Sequence, residues 1–178
     1  MHRLFVAIDL PIEVRDRING ICRDLPGARW VPTDQLHLTL RFIGEVDDAV
    51  FTAIREALAT VRGRAFAAAV QGIGHFPPGK HPRVLWVGLV GAEALLSLQD
   101  SIERTVVAAG IPPEGRKFSP HITLARLKET PAGKVEAFEA RCRTMASDPF
   151  PVTEFHLYSS TLSNKGALHR REASYPLF

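Results

Sequence analysis

Cysteine is scarce in this sequence, with Cys22 and Cys142 the only two. Two thiols in helix-like segments suggest neither a disulfide framework nor a cysteine-based zinc site, and a reducing cytoplasm is the expected setting. Long apolar runs are missing too. The longest, Val84–Val90, is interrupted by Gly88 and falls far short of the roughly 20 residues a membrane helix needs, so no membrane partner is expected. The opening MHRLFVAIDLP has a basic residue and an apolar stretch, but Asp9 follows and there is no small-residue cleavage site. It reads as a first strand. Nor does one charge dominate: 22 Lys and Arg stand against 19 Asp and Glu, a net +3. That excess suits an anionic ligand and is too small for a protein that coats nucleic acid. No low-complexity stretch could act as a long flexible linker.

What is present is the material of a folded domain. The chain has 178 residues, 46% hydrophobic and 23% charged, enough for one compact unit or two tightly packed halves. Residues 3–9 and Val84–Val90 read as buried strands, each followed by a helix pattern: Val14, Ile18, Ile21 and Leu25 after the first, Leu95, Leu98, Ile102 and Val106 after the second. Extended runs follow at 35–43 and 118–127. Then come helices, one capped by Asp47 or Asp48 with Val50, Ile54, Leu58 and Val61 on one face, the other at about 132–143. Strands return at Phe66–Phe76 and 150–160. A last strand at 171–178 follows a turn around 164–166.

The order strand, helix, strand, helix, strand occurs twice, which predicts an internal duplication with approximate halves 1–79 and 80–178 in a single domain, joined by the turn Pro77-Pro78-Gly79-Lys80. An offset of 84 residues carries His37 onto His121, Thr39 onto Thr123, Leu40 onto Leu124 and Phe66 onto Phe150.

The shared element is His-x-Thr-Leu. Successive strand side chains point to opposite faces, so His37, Thr39 and Arg41 are expected on one face and Leu36, Leu38, Leu40 and Phe42 on the other. His121 and Thr123 repeat the pattern against Ile122 and Leu124. Seven His and ten Thr in 178 residues would give His-x-Thr by chance roughly 0.4 times, so one copy would carry little weight. Two copies in register carry more. In-line cleavage of a phosphodiester needs one group to deprotonate the nucleophile, another to protonate the leaving oxygen, and donors for the phosphoryl oxygens. Two imidazoles, with ordinary pKa values near 6.5, and two hydroxyls supply those roles.

These residues resemble a known family. RLFVAIDLP, LHLTLRFIGEV, HFPP with PRVLWVG, and KFSPHITLAR look like the bacterial and archaeal RNA 2′,3′-cyclic phosphodiesterases of the two-histidine (2H) phosphoesterase superfamily, historically called 2′-5′ RNA ligases. The likeness runs over nearly the whole chain. It implies an α+β, bilobal, pseudo-twofold fold in which two antiparallel sheets face a central cleft with helices outside. The period count alone had left a parallel sheet open. The resemblance further implies hydrolysis of an RNA terminal 2′,3′-cyclic phosphate to a 2′-phosphate with no metal; a monomer that uses no cofactor is expected. His37 would be the proton donor, His121 the proton acceptor, and Thr39 and Thr123 would hold the phosphoryl oxygens.

Arg41 and Arg126 are further phosphate candidates. Arg126 lies five residues after His121, on the apolar side of a regular strand unless a bulge intervenes. Trp30 is expected to pack and His156 to be an ordinary surface histidine, while Lys80, Arg83, Arg116 and Lys117 fit a basic rim. His169 has no assigned role. Neither motif has a second His, Asp or Glu at metal-ligand spacing. Three rival functions use the same residues: 2′-5′ ligation, hydrolysis of a small cyclic nucleotide or ADP-ribose cyclic phosphate, and RNA binding without catalysis. The RNP1-type run of glycine with alternating aromatics expected of the last is missing.

Overall fold

The computed structural model describes residues 1–91 and 93–178. Two antiparallel sheets form the protein. The four-stranded sheet has the order β3 (His37–Val46), β1 (His2–Asp9), β8 (Glu154–Ser163), β9 (Gly166–Pro176). The five-stranded sheet runs β2 (Ala28–Trp30), β6 (His121–Leu127), β5 (Val84–Val90), β4 (Phe66–Phe76), β7 (Phe150–Val152). Every strand pairing is antiparallel, which answers the question that periodicity left open.

Shifted by 84 residues, the run β3-β1-β8 becomes β6-β5 with β4 beside it. Each half therefore lends its third strand to the other half's sheet. The boundary near residue 79 is consequently not a boundary between sheets. The Pro77–Lys80 segment, expected to join two lobes, instead connects β4 to β5, which are neighbours in one sheet. The expected strand at 150–160 is two, broken at Thr153.

Among the described residues four α-helices complete the fold: α1 (Ile12–Asn19), α2 (Asp48–Leu58), α3 (Glu93–Ala108) and α4 (Ala132–Arg141). The Asp47 side chain caps α2 by accepting from the Val50 amide at 2.9 Å, meeting one of the free N–H groups of the first turn. Of the apolar stripes read from the sequence, Val14, Ile18, Leu25, Ile54, Leu58, Val61, Leu95, Leu98, Ile102 and Val106 are buried, while Ile21 and Val50 are only partly so; Phe51 of α2 and Val135 and Phe138 of α4 are buried beside them. They join Leu36, Leu38, Leu40, Ile122 and Leu124 in one core cluster. Trp30 packs on Phe138 with centroids 5.7 Å apart, as expected of it. No helix among the described residues is long and apolar enough to cross a membrane.

Candidate active site

β3 and β6 lie against each other where the sheets meet, so the two His-x-Thr strands share that junction. His37 Nδ1 is 2.6 Å from the Gln35 carbonyl, and His121 Nδ1 is 2.7 Å from the Ser119 carbonyl. Both rings thus use one nitrogen on the backbone oxygen two residues upstream. A carbonyl only accepts, so each Nδ1 carries a proton, and among the described residues neither Nε2 has a hydrogen-bond partner.

A β-bulge follows each motif. In β3 the pairing with β1 passes from Thr39 to Arg41, skipping Leu40, and in β6 the pairing with β5 passes from Thr123 to Ala125, skipping Leu124. One extra residue reverses the alternation beyond it. Arg41, expected beside Thr39, is consequently turned to the buried side. Its guanidinium pairs with the Glu103 carboxylate of α3 and donates to the carbonyls of Phe42 and Pro112, both at 2.5 Å, and the residue is only 6% exposed. Burial alone would raise the Glu103 pKa, but the Arg41 hydrogen bond, the Glu114 amide and the Arg41 charge together hold it below its ordinary value. Phe42, 61% exposed, takes the place read for Arg41. The equivalent bulge brings Arg126 out to the exposed face of β6. The structure therefore gathers His37, Thr39, His121, Thr123 and Arg126 on the polar faces and removes Arg41 from them.

Each histidine sits in an aromatic setting. Phe5 stacks on His37 at 5.1 Å, Tyr158 lies at 6.3 Å, and His169 meets it edge-on at 5.4 Å. Burial is the main reason the His37 pKa is lowered to about 4; the Gln35 hydrogen bond and the Asp9 charge oppose it, and His169 adds to it. Around His121 stand Phe76, edge-on at 5.1 Å, and Trp86 at 6.4 Å. Gly74 makes room for this: a Cβ there would lie 2.2 Å from the Trp86 ring.

Asp9 is the register partner of His37 and accepts from the Tyr158 hydroxyl and from Arg171. Burial first, and then the Asp9 hydrogen bond, push Tyr158 up to about 12, so it stays a donor. His156, expected at the surface, is 1% exposed; its Nδ1 is 2.9 Å from Ser174 Oγ and its Nε2 is 3.5 Å from Asp9. Lys80, Arg83, Arg116 and Lys117 are exposed. Among the described residues, no group of three or more His, Cys, Asp or Glu is placed to hold a metal ion. Sequence reasoning missed Phe5, Tyr158, His169, Phe76 and Trp86, which only strand pairing assembles. Two local signals were available, the alternation of Asp9, Ala7 and Phe5 along β1 and that of Glu154, His156 and Tyr158 along β8.

The LigT like Phosphoesterase family model matches the chain twice, at residues 8–86 and 87–169. The chain is similar to the RNA 2′,3′-cyclic phosphodiesterases of Aeropyrum pernix, 37% identical over 80% of this chain and 82% of that one, and of Thermotoga maritima, 35% identical over 94% and 91%. Among solved structures it resembles TT0787 of Thermus thermophilus (TM-score 0.79, 32% identity, 98% and 97% of the two chains). It also resembles E. coli LigT complexed with 3′-AMP (TM-score 0.79, 28% identity, 99% and 98%).

Proposed function

The chain belongs to the LigT-like phosphoesterases and is a cyclic phosphodiesterase, a hydrolase of the two-histidine family, and from that premise we propose that it opens the 2′,3′-cyclic phosphate at an RNA end to a 2′-phosphate, using His37 and His121 as its proton-transfer groups. The observation that carries this reading is the matched pair of Nδ1 contacts to Gln35 and Ser119, which leaves both Nε2 atoms free for chemistry. Thr39 and Thr123, half-buried on the same faces, donate to the phosphoryl oxygens as charge builds there. Arg126 lies on the same face farther along β6, where it adds positive charge beyond the reacting phosphate. In the same proposal the enzyme is a monomer, one two-lobed domain, working in the cytoplasm without metal or cofactor.

In the reaction one histidine takes the proton of the attacking water while the other gives a proton to the departing 3′ oxygen, and the P–O3′ bond breaks opposite the new P–O bond. The resemblance makes His37 the donor and His121 the acceptor. The burial of His37 favours the reverse assignment in the unliganded protein, because a group titrating at about 4 is neutral at pH 7. For His37 to act as donor, the anionic phosphodiester must restore its proton, as an opposite charge within a few ångströms does.

The test is an oligonucleotide ending in a 2′,3′-cyclic phosphate, with products resolved by phosphorus NMR. The wild type is expected to yield the 2′-phosphate, and alanine at His37 or His121 to lower turnover by about 10²–10⁴. Full activity in either variant defeats the mechanism.

A further inference from the structure

Arg29 and Arg126 face each other directly across the ladder between β2 and β6. Directly opposed residues of an antiparallel pair share one face. The other face here is occupied by Ala28 and Trp30, which pack on the core, and by buried Ala125 and Leu127. Both arginines are exposed. The bulge after Thr123 puts them on the side that carries His121 and Thr123.

Like charges placed directly opposite in a sheet repel and weaken it. Among the described residues neither arginine is in an ion pair with an acid, whereas Arg41, the cation of the equivalent strand, is buried against one. An anion between the two forks would relieve the repulsion. Arg126 is three strand positions beyond Thr123, roughly 10 Å before the shortening at the bulge. A group held at Thr123 and a second anion held at Arg126 are thus about one nucleotide apart.

We propose that Arg29 and Arg126 form a second phosphate site, which takes the internucleotide phosphodiester next to the terminal cyclic phosphate and gives the enzyme its preference for RNA ends over free cyclic mononucleotides. The inference rests on the reading above that the cyclic phosphate lies at Thr39 and Thr123. Guanidinium forks match two phosphate oxygens each, and a backbone contact tolerates any base. A cyclic mononucleotide has no second phosphate to offer, so it gains nothing from the pair.

The experiment measures kcat/KM for 2′,3′-cyclic AMP and for a dinucleotide ending in the same cyclic phosphate, at several KCl concentrations. The wild type is expected to favour the dinucleotide, and Arg29→Gln to reduce that preference about tenfold and flatten the salt slope by about one. Arg29→Lys, which keeps a point charge, is expected to retain most of the slope. Equal preference in wild type and Arg29→Gln overturns the inference. If the wild type opens neither substrate, the functional reading has failed. The site is then judged by binding: a dinucleotide carrying a 2′-phosphate loses about tenfold in affinity with Arg29→Gln relative to 2′-AMP if the site exists, and loses no more than 2′-AMP if it does not.

Discussion

His169 of β9 meets His37 of β3 edge-on, with ring centroids 5.4 Å apart. With Phe5 and Tyr158 it walls the His37 ring, and the Gln35 side chain ties the same hairpin down by donating to the Ala167 carbonyl at 2.7 Å. The enclosure lowers His37 from 6.5 to about 4, chiefly through burial. An unfolded chain binds this proton from pH 6.5 downward, while the folded chain resists it until about 4. Stability is therefore complete above 6.5 and is lost as the pH falls through that window, by up to roughly 3 kcal/mol. His156 and His169 are lowered by burial as well, so their contributions have the same sign. Urea unfolding at pH 7 and pH 4.5 is expected to show a smaller loss for His37→Gln than for the wild type. Equal losses would mean that His37 is charged in the native state.

Arg41 and Arg126 are expected to fail in opposite ways. Arg41→Ala strands the Glu103 carboxylate against α3, and breaking one side of a largely buried pair costs about 3–5 kcal/mol. Arg126→Ala removes an exposed cation and is expected to leave the melting temperature nearly unchanged while raising KM for the cyclic-phosphate oligonucleotide. Thermal denaturation beside initial rates separates the two. If Arg41→Ala were fully stable but inactive, the bulge in β3 would have been assigned the wrong consequence.

That pair also shows how far the sequence could be read. The helix stripes, the two motifs and their 84-residue offset were legible because hydrophobic period and residue identity are local properties. Face assignment holds only while a strand alternates. It held for His37, Thr39, His121 and Thr123 and ended at Leu40 and Leu124, where an inserted residue turns the following residues over, and β3 has a second insertion at Ile43. Nothing in LHLTLRF marks that insertion, since the bulge is defined by what β1 pairs with. The exchange of third strands was hidden for the same reason: β4 and β8 look alike locally and differ only in the sheet they join. His169 lies 132 residues from His37, and only the order β3-β1-β8-β9 brings them together.

Thr39→Val and Thr123→Val keep the branched shape and the strand preference while deleting the hydroxyl. If these hydroxyls donate to developing phosphoryl charge, each variant is expected to lose on the order of 10²–10³ in kcat with little change in melting temperature. Normal kcat in both would make them strand residues only.

Excess EDTA is expected to leave the rate unchanged, since the proposed acid, base and donors are all side chains of the protein. Inhibition that zinc or manganese reversed would require a metal in the mechanism.

The direction of proton transfer is decided by the leaving group. A bell-shaped kcat/KM profile cannot separate the two assignments of His37 and His121, because a neutral–protonated pair and its reverse carry the same total number of protons. A substrate whose leaving group departs without a proton does separate them. An aryl phosphodiester with a p-nitrophenolate leaving group makes the general acid dispensable and leaves the general base essential. If His37 is the donor, His37→Ala is expected to recover most of its activity on that substrate while His121→Ala stays inactive. The opposite pattern would make buried His37 the base, in line with its low pKa in the unliganded protein. Rescue of neither variant would mean that both imidazoles do more than move protons, for example by holding the phosphoryl group against Thr39 and Thr123.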